Sequence, residues 1–188
     1  MHTVQGRRRD LLRVARPARA FWTAALSILA LDQVSKSLVR AELHPGQLTG
    51  LVPGVLDLTY VRNTGAAFGL FPGRQPVFIL TSVVVLVVIA AYWRRDRPSD
   101  WPVVFGTAAI AGGAVGNLVD RALVGRVTDF LAFAFIDFPV FNIADIGIVG
   151  GVAVLVLWLL FGPEPGSVEA VAEVAADQDH SREDVDES

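Results

Sequence analysis

Residues 146–161 read IGIVGGVAVLVLWLLF, and residues 81–93 read TSVVVLVVIAAYW. A helix of a soluble domain carries a polar face at 3.6-residue spacing, and neither stretch has one. Both belong to longer apolar runs, of which the chain has four: Phe21 to about Val39, Pro76 to Trp93, Trp101 to about Leu123, and about Asn142 to Phe161. Each is roughly 17–22 residues, the length a helix needs to cross a ~30 Å hydrocarbon layer at ~1.5 Å per residue. The expected fold class is an all-α membrane protein with four transmembrane helices. The first run follows Arg7–Arg9, yet it reads as a retained span rather than a cleaved leader. No small-x-small site follows it, and Asp32 and Lys36 stand where cleavage would fall.

Composition agrees. Of 188 residues, 53% are hydrophobic and 19% charged, more apolar than a soluble domain of this size. The formal charge of −3 conceals two unlike parts. Residues 163–188 hold nine acids against Arg182, while the rest carries 15 bases and 10 acids. Three domains are expected: a basic cytoplasmic segment 1–19, a transmembrane domain 20–161, and an acidic, disordered cytoplasmic tail 162–188. The chain has no cysteine, which excludes disulfides, thiol catalysis and cysteine-held metals. Its three histidines, His2, His44 and His180, are too scattered for a metal cluster.

Arginine placement sets orientation. Six arginines precede the first run and three (Arg94, Arg95, Arg97) separate the second from the third. Both segments and both termini are therefore expected inside, with residues 40–75 and 124–141 outside. Ser99 or Asp100 can cap the third helix, with Pro102 in its first turn. In the outer segments, Leu56, Leu58 and Tyr60 alternate with Asp57, Thr59 and Val61, and residues after Asp129 alternate weakly, so a small β-sheet or cradle is expected there.

Charges within spans are costly, about 2.5–3.5 kcal/mol each, and normally mark function. Threading the four spans brings the unusual polar residues to one depth, near the outer face: Asp32 and Lys36, Asn63 and Gly65, Asn117, Asp120 and Arg121, Asp129, and Asn142 and Asp145. Asp32 and Lys36 share a helix face and can pair, as a structural ion pair or a functional one. Asn117, Asp120 and Arg121 either close a helix end or face a substrate. Gly112, Gly113 and Gly116 suit close helix packing. Ser35 is poorly placed for a dyad with Lys36, because adjacent helical residues point about 100° apart. Asp129 and Asp145 each stand at the end of a span on the same side. Two partly desolvated carboxylates cannot both ionise easily and can act as general base and general acid on water, as in aspartic proteases. From spacing alone, two unrelated surface acids remain the alternative.

Five motifs now stand in order: Asp32-Gln-Val-Ser-Lys36, Asn63-Thr-Gly-Ala-Ala-Phe68, Gly116-Asn-Leu-Val-Asp-Arg121, Val127-Thr-Asp-Phe130 and Phe141-Asn-Ile-Ala-Asp145. Together they resemble lipoprotein signal peptidase, or signal peptidase II, the bacterial inner-membrane aspartic protease family, over about residues 20–161. The resemblance implies that Asp129 and Asp145 are the catalytic pair. It further implies that Asn63 and Gly65 line the substrate groove, and that Asn117, Asp120, Arg121 and Asn142 hold substrate or position the aspartates. Asp32 and Lys36 correspond to the first-span motif, more structural than chemical. The implied substrate is a diacylglyceryl-modified prolipoprotein, cut just before its lipidated cysteine, and the family is the target of globomycin-type cyclic peptides. No metal, cofactor or nucleic acid is implied, and the enzyme is expected to be a monomer surrounded by membrane lipid. The competing expectation is a small oligomeric subunit of an ion or proton transporter. Such a route needs polar residues at several depths, whereas the inner halves of these spans are essentially uncharged. Gly65, Gly69 and Gly73 would permit the 50–75 loop to hinge.

Overall fold

The computed structural model of the chain describes residues 2–65 and 75–163, with side chains described from residue 16 onward. The expectations for Ala66–Phe68, for Gly69 and Gly73, and for the tail beyond Pro163 lie outside the described residues. The chain resolves into two compact units, 1–155 and 156–188, and every site residue considered below lies in the first.

Four helices and a three-stranded antiparallel sheet make up the described chain. Helix α1 runs His2–Glu42, α2 Gln75–Asp96, α3 Trp101–Leu123 and α4 Ile143–Phe161. Among the described residues, α2, α3 and α4 are long and apolar enough to cross a membrane. The first apolar run lies inside α1 and carries Asp32 and Lys36, which lower its apolar character. Asp100 occupies the cap position of α3, with extended backbone and a proline just inside the helix. Its side chain makes no capping bond, so the expected cap is positional only.

Small residues let the helices meet. A Cβ on Gly113 would overlap the Ala144 carbonyl of α4, and one on Gly116 would fall 2.5 Å from Asp32 Oδ2 on α1. Side chains there would push both neighbours away from α3, so the glycines that the sequence marked for close packing set the spacing of the site. At the other end of α3, Phe21, Ala25, Val104, Ala108 and Ala111 form a buried apolar cluster.

The sheet has the order β1 (Leu48–Val52), β2 (Leu56–Asn63), β3 (Val127–Phe133). Strand β1 was not expected from the sequence; its short LTGLV run contains Gly50 and lacks alternation. It forms because Gly54, at φ 71°, turns the chain back, closed by a Val55 N–H to Val52 carbonyl bond of 3.0 Å. Strand β3 begins earlier than the weak alternation suggested and includes Asp129. That corrects one placement: Asp129 is not at the end of a span but the third residue of a strand. Phe141 then bridges to Leu131, with its amide and carbonyl both bonded to β3. The sheet thus delivers the chain directly into α4, with Asn142 alongside Asp129.

Candidate active site

Helix α4 starts with a reciprocal cap. The Asp145 amide donates to Asn142 Oδ1 at 3.0 Å, and the Asn142 amide donates to Asp145 Oδ2 at 3.1 Å. This is the capping-box arrangement, with aspartate in place of the usual glutamate or glutamine. It satisfies two amides that a helix start leaves open and favours a negative charge at the positive end of the helix. The same geometry fixes the Asp145 carboxylate, whose Oδ1 accepts from Asn117 Nδ2 at 2.8 Å.

Asp129 is fixed from the other side. Asn63 stands on β2 opposite Val127, two residues from Asp129, so the two side chains share a sheet face. Asn63 Nδ2 donates to Asp129 Oδ2 at 2.8 Å, and Asn142 Nδ2 donates to Asp129 Oδ1 at 2.6 Å. Asn63 Oδ1 accepts from the Gly65 amide at 2.9 Å. Asn142 therefore touches both aspartates. Burial pushes Asp129 up to about 6 against an ordinary 3.8, and the Asp145 charge adds to that; the amides of Asn63 and Asn142 and the Lys36 charge work against it.

Behind this pair lies a buried ionic network. Lys36 Nζ reaches Asp32 Oδ2 at 2.8 Å, Asn117 Oδ1 at 2.9 Å and Asp120 Oδ2 at 3.5 Å, an acceptor for each of its three protons. Arg40 Nη1 adds contacts to Asp120 Oδ1 at 3.4 Å and Thr128 Oγ1 at 3.0 Å. Two anions thus face two cations. The remaining oxygens tie down backbone: Asp120 Oδ2 accepts the Thr128 amide, and Asp32 Oδ1 accepts the Ala144 amide, both at 2.9 Å. Asp32, on α1, therefore caps the first turn of α4, and Asp120, on α3, holds the residue before Asp129.

Asn63, Gly65, Asn117, Arg121, Asp129 and Asp145 line one cleft of about 580 Å³. Arg121 lies over the Phe78 ring, 5.1 Å from its centroid. The remaining walls are apolar: Phe133, Phe138, Pro139, Val140, Phe141, Ile146 and Val149. Asp32, Lys36, Asp120 and Asn142 do not line it; they sit behind the wall. Gln33, whose Nε2 donates to Asp32 Oδ2 and to the Gly116 carbonyl at 3.0 Å, has no role in the reading of the sequence, nor do Arg40, Thr128 and the phenylalanines of the cleft wall. Arg40 continues the four-residue spacing of Asp32 and Lys36 on the same helix face, which is the signal that could have found it. Asn142-x-x-Asp145 carried the capping signature unread. Among the described residues, no group of three or more Asp, Glu or His could hold a metal ion.

A family model described as "Signal peptidase (SPase) II" matches residues 24–161, which contain every residue of the cleft and network. The chain belongs to the signal peptidase II family. The lipoprotein signal peptidase of Syntrophomonas wolfei is 43% identical over 143 residues, covering 76% of this chain and 94% of that one. That of Halothermothrix orenii is 41% identical over 138 residues, covering 73% and 93%. Among solved structures, a bacterial membrane enzyme determined by the in meso method matches with a TM-score of 0.71 and 30% identity, covering 74% of this chain and 87% of that chain. The fold is thus that of a bacterial membrane enzyme, and the signal peptidase II signature falls on the helices and strands that build the cleft.

Proposed function

We propose that this chain is a membrane-embedded aspartic endopeptidase that removes signal peptides from diacylglyceryl-modified prolipoproteins, cutting just before the lipidated cysteine. The observation that carries the reading is the placement of Asp129 and Asp145 in one cleft, each oriented by amides and both touched by Asn142. The pair shares one proton. The ionised carboxylate takes a proton from water as the oxygen attacks the scissile carbonyl carbon, and the protonated partner gives its proton to the carbonyl oxygen. Collapse of the tetrahedral diol breaks the C–N bond: the amine leaves with the proton taken from water, and one diol hydroxyl returns its proton to the partner carboxylate as the C=O forms, which restores the singly protonated pair. Arg121, Asn63 and Gly65 lie where they can hold the substrate backbone, and the phenylalanines offer an apolar bed for acyl chains.

The same reading has α1 as a fourth span, through its apolar stretch from Phe21 to about Val39. Both termini and the arginines of 94–97 are then cytoplasmic, the cleft lies near the outer face of the inner membrane, and the enzyme is a monomer. The transporter alternative is not favoured, since the relatives are lipoprotein signal peptidases and the polar residues gather at one end of the helices.

The deciding experiment is cleavage of a purified diacylglyceryl-prolipoprotein by wild type, Asp129→Asn and Asp145→Asn in detergent. Each variant is expected to insert normally and lose about 10²–10⁴-fold in rate, the range for a lost acid or base. Near wild-type turnover in either would sink the mechanism.

A further inference from the structure

A second cavity of about 580 Å³ lies away from the cleft. Helices α1 and α2 each pack on α3 and meet each other through Phe21 and Trp93, and the groove lies between them beside that contact. Gly112 is part of its floor, where the missing Cβ lets the α1 backbone approach at Ala25. Trp22, Leu86 and Trp93 are among its walls. Trp93 is held in place, its Nε1 donating to Thr107 Oγ1 at 3.1 Å and its ring 4.5 Å from that of Phe21. The lining is apolar except for Arg94, which follows Trp93 in the last turn of α2. Among the described residues no carboxylate pairs with Arg94, the adjacent Asp96 lying instead 3.9 Å from Arg95.

An apolar slot between helices, with tryptophans in its walls and an arginine from the last turn of α2, matches a single lipid in two ways. The slot suits an acyl chain, and the arginine supplies the charge complement of a phosphate. We propose that this groove is a binding site for one anionic phospholipid, with an acyl chain between α1 and α2 and its phosphate on Arg94. The site is separate from the cleft, and the proposal does not depend on the peptidase reading.

The test uses the full chain carrying Trp101→Phe and Trp158→Phe, so that fluorescence reports Trp22 and Trp93. It is placed in phosphatidylcholine vesicles doped with mid-chain dibrominated phosphatidylglycerol or dibrominated phosphatidylcholine. Phosphatidylglycerol is expected to quench in a saturable phase at low mole fraction, and phosphatidylcholine only in proportion to its amount. Arg94→Gln should raise the half-quenching fraction about fivefold, as expected for one basic residue near an anionic lipid; Arg94→Lys should keep the saturable phase. Superimposable curves for the two lipids, or no shift in Arg94→Gln, would overturn the proposal. So would an Ala90→Cys variant of this cysteine-free chain that crosslinks into dimers, since a second copy would then fill the groove. No readout here is cleavage, so failure of the lipid site and failure of the peptidase reading are told apart.

Discussion

Asn142 holds Asp129 with its amide nitrogen and caps Asp145 with its carbonyl oxygen. One side chain therefore sets the separation of the two carboxylates as well as the start of a helix. Replacing it with alanine is expected to cost about 1–2 kcal/mol of stability for the lost cap and about 10²-fold in turnover for the misplaced pair. Thermal unfolding in detergent and the precursor assay, run on the same preparation, check the two effects. Asp129 itself makes a prediction about pH. It ionises near 6 when folded and near 3.8 when unfolded. Between those values the folded state keeps a proton that the unfolded chain releases, so stability falls as pH rises through that window. In Asp129→Asn that fall is absent. The variant should gain on wild type by up to about 3 kcal/mol between pH 4 and pH 7, read as a pH-dependent difference in unfolding midpoint. Lys36 is a contrasting case: buried, outside the cleft, and bonded to three acceptors. Removing one partner of a buried ionic set typically costs about 3–5 kcal/mol. Lys36→Met should accordingly lower the amount of folded protein in membranes far more than the turnover of what survives.

At the scale of elements, helices were legible and strands were only partly so. The apolar run after Gln75 has no competing pattern, and α2 follows it closely, extending only into the arginines that end it. Leu56–Val61 alternates, and β2 contains it. Strand β3 was harder to see because most of it is buried on both faces, Val127 to Leu131 included, which removes the two-residue alternation a half-buried strand displays. That hid the strand around Asp129, which the sequence reading puts at the end of a span. The gathering of polar residues near one face could be read from span directions, because topology alone brings those segment ends together. The division of those residues between the cleft wall and the network behind it could not. That depends on which way each side chain turns on α1 and α3, and Asp120 and Arg121, adjacent in sequence, turn to opposite duties. Gly113 and Gly116 belong to the same scale: they make α3 thin enough for α1 and α4 to reach across it.

For the whole molecule, the absence of cysteine makes topology directly measurable. Single cysteines at Val52, on the hairpin, and at Arg97, between α2 and α3, should react differently with a membrane-impermeant thiol reagent. Val52→Cys is expected to label in intact spheroplasts and Arg97→Cys only after permeabilisation; the reverse result would invert the proposed orientation. The ionic network has a further consequence, for the order in which the chain is made. Asp32 and Lys36 leave the ribosome early, yet the groups that complete their bonding arrive late: Asn117 and Asp120 on α3, and last the Ala144 amide, 112 residues after Asp32. Until α4 emerges, Asp32 has Lys36 beside it but not the Ala144 amide that its Oδ1 accepts. Translation arrested before residue 144 would leave a fragment with apolar segments but an unfinished polar centre, lacking the amide that Asp32 Oδ1 accepts. The polar centre is thus completed only when synthesis has reached α4.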